Sequence, residues 1–221
     1  MNSILALART FPPSESVGWT QTFIERTSRY WINADVGKRS GNIIELGTQK
    51  AWDWSQGCEF IRWFTDGEKR YAKVLWKQAS IWLKANEVSS VFPFRKVWRF
   101  GLEVARKVKG SQGHRRWEWP QPKHPYTAVS PESEVHANHC EALNSSIRRR
   151  CSAYRRRQNT YAKTQQGLTR AITVQRLIHN WCRPHWSLEK HTTPAMAMGY
   201  CQRIISIEEF LMMRGFHSIN S

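Results

Sequence analysis

Apolar positions fall into short alternating or dense runs in the first half of the chain, and into stripes spaced by three and four residues in the second. WTQTFI (19–24), RYWINADV (29–36) and NIIEL (42–46) carry aromatic and β-branched residues and are separated by polar turns. They predict an antiparallel meander of three strands. A short helix is expected over 49–56, with Trp52 and Trp54 too close in sequence to share one of its faces. EFIRWFT (59–65) is dense enough for a strand buried on both faces, and it ends at Asp66-Gly67.

A helix is predicted over 68–83, with Tyr71, Leu75, Ala79, Trp82 and Leu83 as its apolar positions. After a loop at 86–94, RKVWRFGLEVARKVK (95–109) reads as a basic amphipathic helix closed by Gly110. The segment 110–128 reads as irregular. Ser130 and Pro131 then look like an N-cap and first helical residue, with Glu132 and Glu134 in the first turn. That helix is expected over 131–157. Cys140, Leu143, Ile147, Cys151 and Tyr154 form its apolar stripe, and Glu141, Asn144 and Arg148 line the adjacent side. A further helix over 165–181 carries Ala171, Val174, Ile178 and Trp181 as its expected buried stripe, and a short one is predicted over 206–213.

Charge changes this picture most. The 221 residues carry a formal net charge of +17, with pI near 10.2, which points to a polyanionic partner, nucleic acid before anionic membrane. Eight Lys and Arg residues fall between 95 and 116, among them Arg95, Lys96 and Arg99, and six arginines crowd into 148–157. Arg148, Arg149, Arg150, Arg155, Arg156 and Arg157 are more than a helix C-terminus alone rewards. Trp98, Trp117 and Trp119 lie among basic residues, where aromatic rings stack on bases or flank a backbone groove. Five cysteines without C-x-x-C spacing fit reduced thiols in a cytoplasm. No run has the roughly 18 apolar residues of a membrane span, and the N-terminus has no signal-peptide pattern. No Gly-rich nucleotide loop occurs.

Aspartate is scarce: Asp35, Asp53 and Asp66 are all there are. Asp66 ends a buried strand ahead of a glycine, where α/β folds place ligand-binding groups. Asp35 closes a strand, and reads also as a turn residue ahead of Val36-Gly37. Asp53, between two tryptophans, reads as structural or exposed. Glu141 at the edge of a core-facing stripe looks into a cleft. His136, His139 and Glu141 spell H-x-x-H-x-E, but softer zinc ligands at suitable spacing are missing nearby. His179 and His185 are expected to fix local structure.

Three blocks carry a family resemblance. Glu141, Asn144, Arg148 and Lys163 resemble the last acidic block of insertion-sequence-one family transposases. HNWCRPHW (179–186) and TTPAMAMG (192–199) are similar to the ending of many integrase-like transposases, and FTDGEKRY (64–71) resembles their strand-end T-D-G block. Together they span about 60 to 200, some two thirds of the chain.

The resemblance implies an α/β (α+β) fold of ribonuclease-H-like type, a mixed sheet flanked by helices. A basic helical insertion at about 86–130 would separate the fourth strand from the Glu141 helix. The catalytic domain would span 18–200, between a ragged segment (1–17) and a tail (201–221). The implied activity is DNA cleavage and strand transfer at insertion-sequence ends by two Mg²⁺ or Mn²⁺ ions on Asp66, Glu141 and Asp35. Arg148 and Lys163 would meet phosphates, and Asn144 would orient a ligand or water. The implied partners are double-stranded DNA, both ends and target, and further copies of the chain assembled on it. The implied setting is a bacterial or archaeal nucleoid.

The family's first acid and its N-terminal zinc-binding and helix-turn-helix segment have no clear counterpart. A truncated copy and a separate DNA-recognition polypeptide are therefore expected. Two rival readings remain: a basic nucleic-acid-binding protein without metal chemistry, and a membrane-surface protein, which tryptophans within predicted strands disfavour.

Overall fold

The computed structural model describes residues 18–38, 41–65, 68, 70–84, 94–109, 115–118, 138–154 and 164–213. The fold mixes helices with small sheets in the α+β manner and divides into two compact units. One spans Ser40–Asn138. The other joins the strands before residue 40 to the helices after residue 138.

The second unit starts as a hairpin. Strands β1 (Trp19–Ile24) and β2 (Trp31–Gly37) pair antiparallel, with Thr20 opposite Val36, Gln21 opposite Asp35 and Thr22 opposite Ala34. The connecting turn is held by one carboxylate. Glu25 accepts from Thr27 N at 2.8 Å and from Ser28 N and Ser28 Oγ at 2.5 Å each. Arg29 leaves this turn at φ 62°, a conformation uncommon outside glycine.

The hairpin is too small to be stable alone. Helices α3 (Asn138–Arg150) and α4 (Gln165–Leu177) supply the rest of its core. Leu143, Ile147, Cys151, Tyr154, Leu168, Ile172 and Trp31 are buried together, with Ala34 and Val36 packed against them. Tyr154, in the 3₁₀ turn Ser152–Tyr154, lies 2.7 Å from Thr20 Oγ1 through its hydroxyl.

The expected α3 stripe is thus buried apart from Cys140, which is half-buried. Residues 131–137 and 155–157 lie outside the described residues. The α4 stripe differs from expectation. Ala171 packs against the core as expected, but Leu168 and Ile172 are the fully buried residues and Val174 is 47 % exposed.

In the other unit, α1 (Gly41–Ser55) replaces the expected third strand at 42–46. Ile44, Thr48, Ala51, Trp52 and Ser55 are buried at helical spacing. The five-residue window NIIEL was too short to reveal that period. Helix α2 (Arg70–Ala79) buries Leu75 and Ala79 and packs on α1. It stops four residues before the expected end. Ser80 Oγ donates to Trp76 O, and β4 (Ser80–Lys84) then pairs antiparallel with β5 (Phe94–Trp98).

The predicted basic helix over 95–109 is therefore not a helix. It is β5, a turn, and β6 (Leu102–Lys109). Gly101 is the cause. Its φ is +74°, and a Cβ there would lie 2.2 Å from Glu59 O. A turn at this point divides the segment, and its halves join different sheets, β5 pairing with β4 and β6 with β3 and β7.

Strand β6 is central in its sheet, parallel to β3 (Ile61–Thr65) and antiparallel to β7 (Arg115–Glu118). Burial on both faces falls on β6, from Leu102 to Ala105. Strand β3 was expected to be buried on both sides. It sits at the sheet edge, with Arg62 exposed between buried Ile61 and Trp63. Arg62 Nε lies 3.7 Å from the carboxylate of Glu103, which is itself 1 % exposed. Among the described residues, no helix is long and apolar enough to cross a membrane.

Gly101→Ala is expected to destabilise the protein by ~2–4 kcal/mol, through its positive φ and the backbone collision. Gly57→Ala, with nothing within 4 Å of the added carbon, should stay within about 0.5 kcal/mol. Denaturant titration of both variants checks this, and equal midpoints would contradict it.

Candidate functional site

The Glu141 block and the HNWCRPHW and TTPAMAMG blocks belong to the hairpin unit, whereas FTDGEKRY belongs to the other unit. Strand β1 meets α3 at Thr22. Thr22 Oγ1 donates to Asn144 Oδ1 at 3.3 Å and lies 3.4 Å from Cys140 Sγ, and Asn144 Nδ2 donates to that sulfur at 3.6 Å. Asn144 was expected to orient a ligand or water. Its amide helps seat α3 on the hairpin. Glu141 follows Cys140 in the first helical turn and is exposed. Farther along α3, Arg148 is half-buried, and Arg149 and Arg150 are exposed.

Asp35 lies elsewhere. Ala34 and Val36 face the core that α3 and α4 build, so strand alternation turns Asp35 to the opposite face. There it is 8 % exposed, and Asn33 Nδ2 donates to its Oδ2 at 2.7 Å. Its cross-strand neighbour Gln21 is buried with both amide atoms unpaired. The structure therefore does not bring Asp35 and Glu141 to one face.

Asp53 is exposed on α1 and accepts from Gln49 at 2.7 Å and Gln56 at 3.2 Å. Asp66, Lys163, Arg155, Arg156, Arg157 and the side chain of Arg95 lie outside the described residues. Among the described residues, no three His, Cys, Asp or Glu side chains gather as metal ligands.

Two residues of the expected basic helix have partners within the chain. The Lys96 ammonium sits 5.8 Å from the centre of the Trp76 ring. Arg99 donates to Cys58 O, and its guanidinium lies 5.5 Å from the Trp52 ring centre. Both gain cation–π contact, and Arg99 ties the segment ahead of β3 to the β5–β6 turn.

The HNWCRPHW block forms a clasp. Helix α4 ends in a π turn, Ile178–Cys182. From that turn Asn180 Oδ1 accepts from Trp31 N at 2.8 Å, and Asn180 Nδ2 donates to Trp31 O at 3.0 Å. One amide side chain thus satisfies both backbone groups of a buried residue. Arg176 adds a bond to Ile32 O at 2.9 Å and Gln165 one to Val36 O at 2.9 Å.

His179 lies beside Asn180. Its Nε2 donates to Arg29 O at 2.9 Å, and its ring meets the Trp31 indole edge-on at 5.9 Å. Burial pushes His179 down to about 4, and positive charge on Arg183 and Arg150 adds to the effect.

The TTPAMAMG block closes the tail behind the clasp. Thr193 Oγ1 accepts from Met196 N at 3.3 Å, which caps α5 (Pro194–Ala197) with proline at its first position. Gly199, at φ +76°, ends the turn, and Ile205 N then bonds to Trp181 O at 3.1 Å. Ser206 caps α6 (Ile207–Met212) through Glu209 N at 3.0 Å. The motif letters thus spell caps and clasps. The Thr-Pro pair was a legible signal for a helix start. The bond from Asn180 to a strand 149 residues away was not.

No protein-family model, curated protein or solved structure matches the chain.

Asn180→Ala leaves the buried N–H and C=O of Trp31 unpaired and is expected to cost ~2–4 kcal/mol. Gln165→Ala, which removes an exposed bond, should cost under about 1 kcal/mol. Urea denaturation compares them, and equal losses would contradict the clasp. His179 stays neutral in the folded protein, whereas the unfolded chain takes up its proton near pH 6.5. Its contribution is therefore complete above pH 6.5 and falls as the pH drops toward about 4, by up to about 3 kcal/mol. His179→Gln should flatten stability across this window relative to wild type. Parallel curves would contradict the assignment.

Proposed function

We propose that the chain is a DNA transposase core of ribonuclease-H-like type, acting on insertion-sequence ends. The observation that carries the reading is the setting of Glu141. An exposed carboxylate stands in the first turn of a helix whose other side is buried on a hairpin, seven residues ahead of Arg148. The order of the blocks supports it as well. Strand β3 is parallel to its neighbour and ends at Thr65, the residue before Asp66. The net charge of +17 suits a polyanionic substrate.

Mg²⁺ or Mn²⁺ belongs to this reading, since hard carboxylate oxygens suit both. Asp35 does not fit such a ligand set, because it faces away from α3 and is bonded to Asn33. Asp66 and Glu141 are the acids on which the activity would rest. The work of the remaining site residues is phosphate binding. Arg148, Arg149 and Arg150 lie on α3 with Glu141, and Arg155, Arg156, Arg157 and Lys163 follow in sequence. Contacts of this kind bring affinity and positioning rather than sequence preference.

The orientation of Asp35 favours one second reading, a basic nucleic-acid-binding protein that no longer cuts. The two separate on a single substrate, a labelled DNA duplex in Mg²⁺ or Mn²⁺. In the transposase reading the wild type cuts it. Glu141→Gln then loses about a hundredfold or more in rate, with DNA affinity changed less than about twofold. Tight binding without cleavage by the wild type selects the second reading. Cleavage at equal rate by Glu141→Gln removes this glutamate from the chemistry.

A further inference from the structure

Basic side chains in the hairpin unit group around the clasp. Arg150 is lowered from its ordinary value by burial, and the charges acting on it, Arg183 and Arg149, are positive and push the same way. His185 is lowered by burial, then by Arg29 and Arg150. Like charges gathered in this way repel in the free protein, and an anion among them offsets that repulsion. The acid that acts on Arg29 is Glu25, whose carboxylate is already engaged by Thr27 and Ser28 in the turn.

The same place presents an aromatic surface. Trp186 is 92 % exposed, the most exposed of the large apolar side chains among the described residues. Its ring is stacked on His185, with centroids 6.0 Å apart and planes at 24°. His185 is itself held. Arg29 Nε donates to Ser187 Oγ at 3.0 Å, and Ser187 Oγ lies 2.9 Å from His185 Nδ1. The exposed indole is thus stacked on an imidazole that Ser187 bonds, and Ser187 is in turn bonded by Arg29.

An indole face that meets solvent is matched by the face of a base. Duplex DNA offers base edges in its grooves, because its base faces are already stacked. The occupant that suits both features is an unpaired nucleotide. We propose that Arg29 holds a phosphate of a single-stranded DNA segment while Trp186 stacks on the adjoining base. This rests on the DNA reading above and names the form of DNA that this face takes.

The test compares two labelled DNAs by fluorescence anisotropy: a blunt duplex, and the same duplex with a short single-stranded overhang. The wild-type chain should bind the overhang form more tightly, by about tenfold. Trp186→Ala should abolish that preference while leaving the blunt duplex within about twofold, and Trp186→Phe should keep most of it. Trp186 is exposed, so its loss leaves the core intact. Equal binding of the two DNAs by the wild type, or a preference that survives Trp186→Ala, overturns the proposal and leaves duplex binding standing. If neither DNA binds, the proposal and the DNA reading fall together.

Discussion

The hairpin unit depends on one amide. Two strands of six and seven residues do not hold together in water without further cover. Asn180 supplies both an acceptor and a donor to Trp31, in the manner of a paired strand. It does so from a π turn, where the helix widens and turns a polar side chain inward. Trp31 is 1 % exposed and belongs to the core with Leu168 and Ile172. The amide and the apolar core therefore reinforce each other. The core keeps water from the two bonds, and the bonds fix the strand on which the core is built.

Neutral groups seat the helical segments on the hairpin, as in Thr22 with Asn144 and Tyr154 with Thr20. His179 remains neutral because burial and nearby arginines disfavour its proton. Arg29 shows how frame and surface are linked. Its carbonyl accepts from His179, while its guanidinium reaches Ser187 at the surface. A residue at φ 62° joins the clasp to the proposed phosphate site, which gives a reason for the strained conformation.

In the second unit α3 was legible in the sequence, because its apolar spacing is regular, whereas α4 buries Leu168 and Ile172 and leaves the expected Val174 exposed. The stripe Leu143, Ile147, Cys151 and Tyr154 is buried as the spacing predicts. The other unit was harder to read. NIIEL has the composition of a strand, yet Ile44, Thr48 and Ala51 are buried at helical spacing. RKVWRFGLEVARKVK satisfies a helical pattern, yet the contact between Gly101 and the Glu59 carbonyl divides it into strands, and that carbonyl lies 42 residues earlier in sequence. Local periodicity does not see such contacts. At the candidate site, the exposure of Glu141 agrees with a helix-edge position. The facing of Asp35 depends on which side of the hairpin carries the core, and a lone strand's alternation leaves that open.

The proposed function needs a basic surface that meets DNA, carried on the clasped hairpin frame. The most direct measurement is the affinity of the whole chain for a DNA duplex across a salt series from about 50 to 200 mM, plotted as log K against log salt concentration. Neutralising several phosphates predicts a straight line with a slope of about −5 or steeper. A slope shallower than about −1, or no measurable binding at low salt, would contradict it.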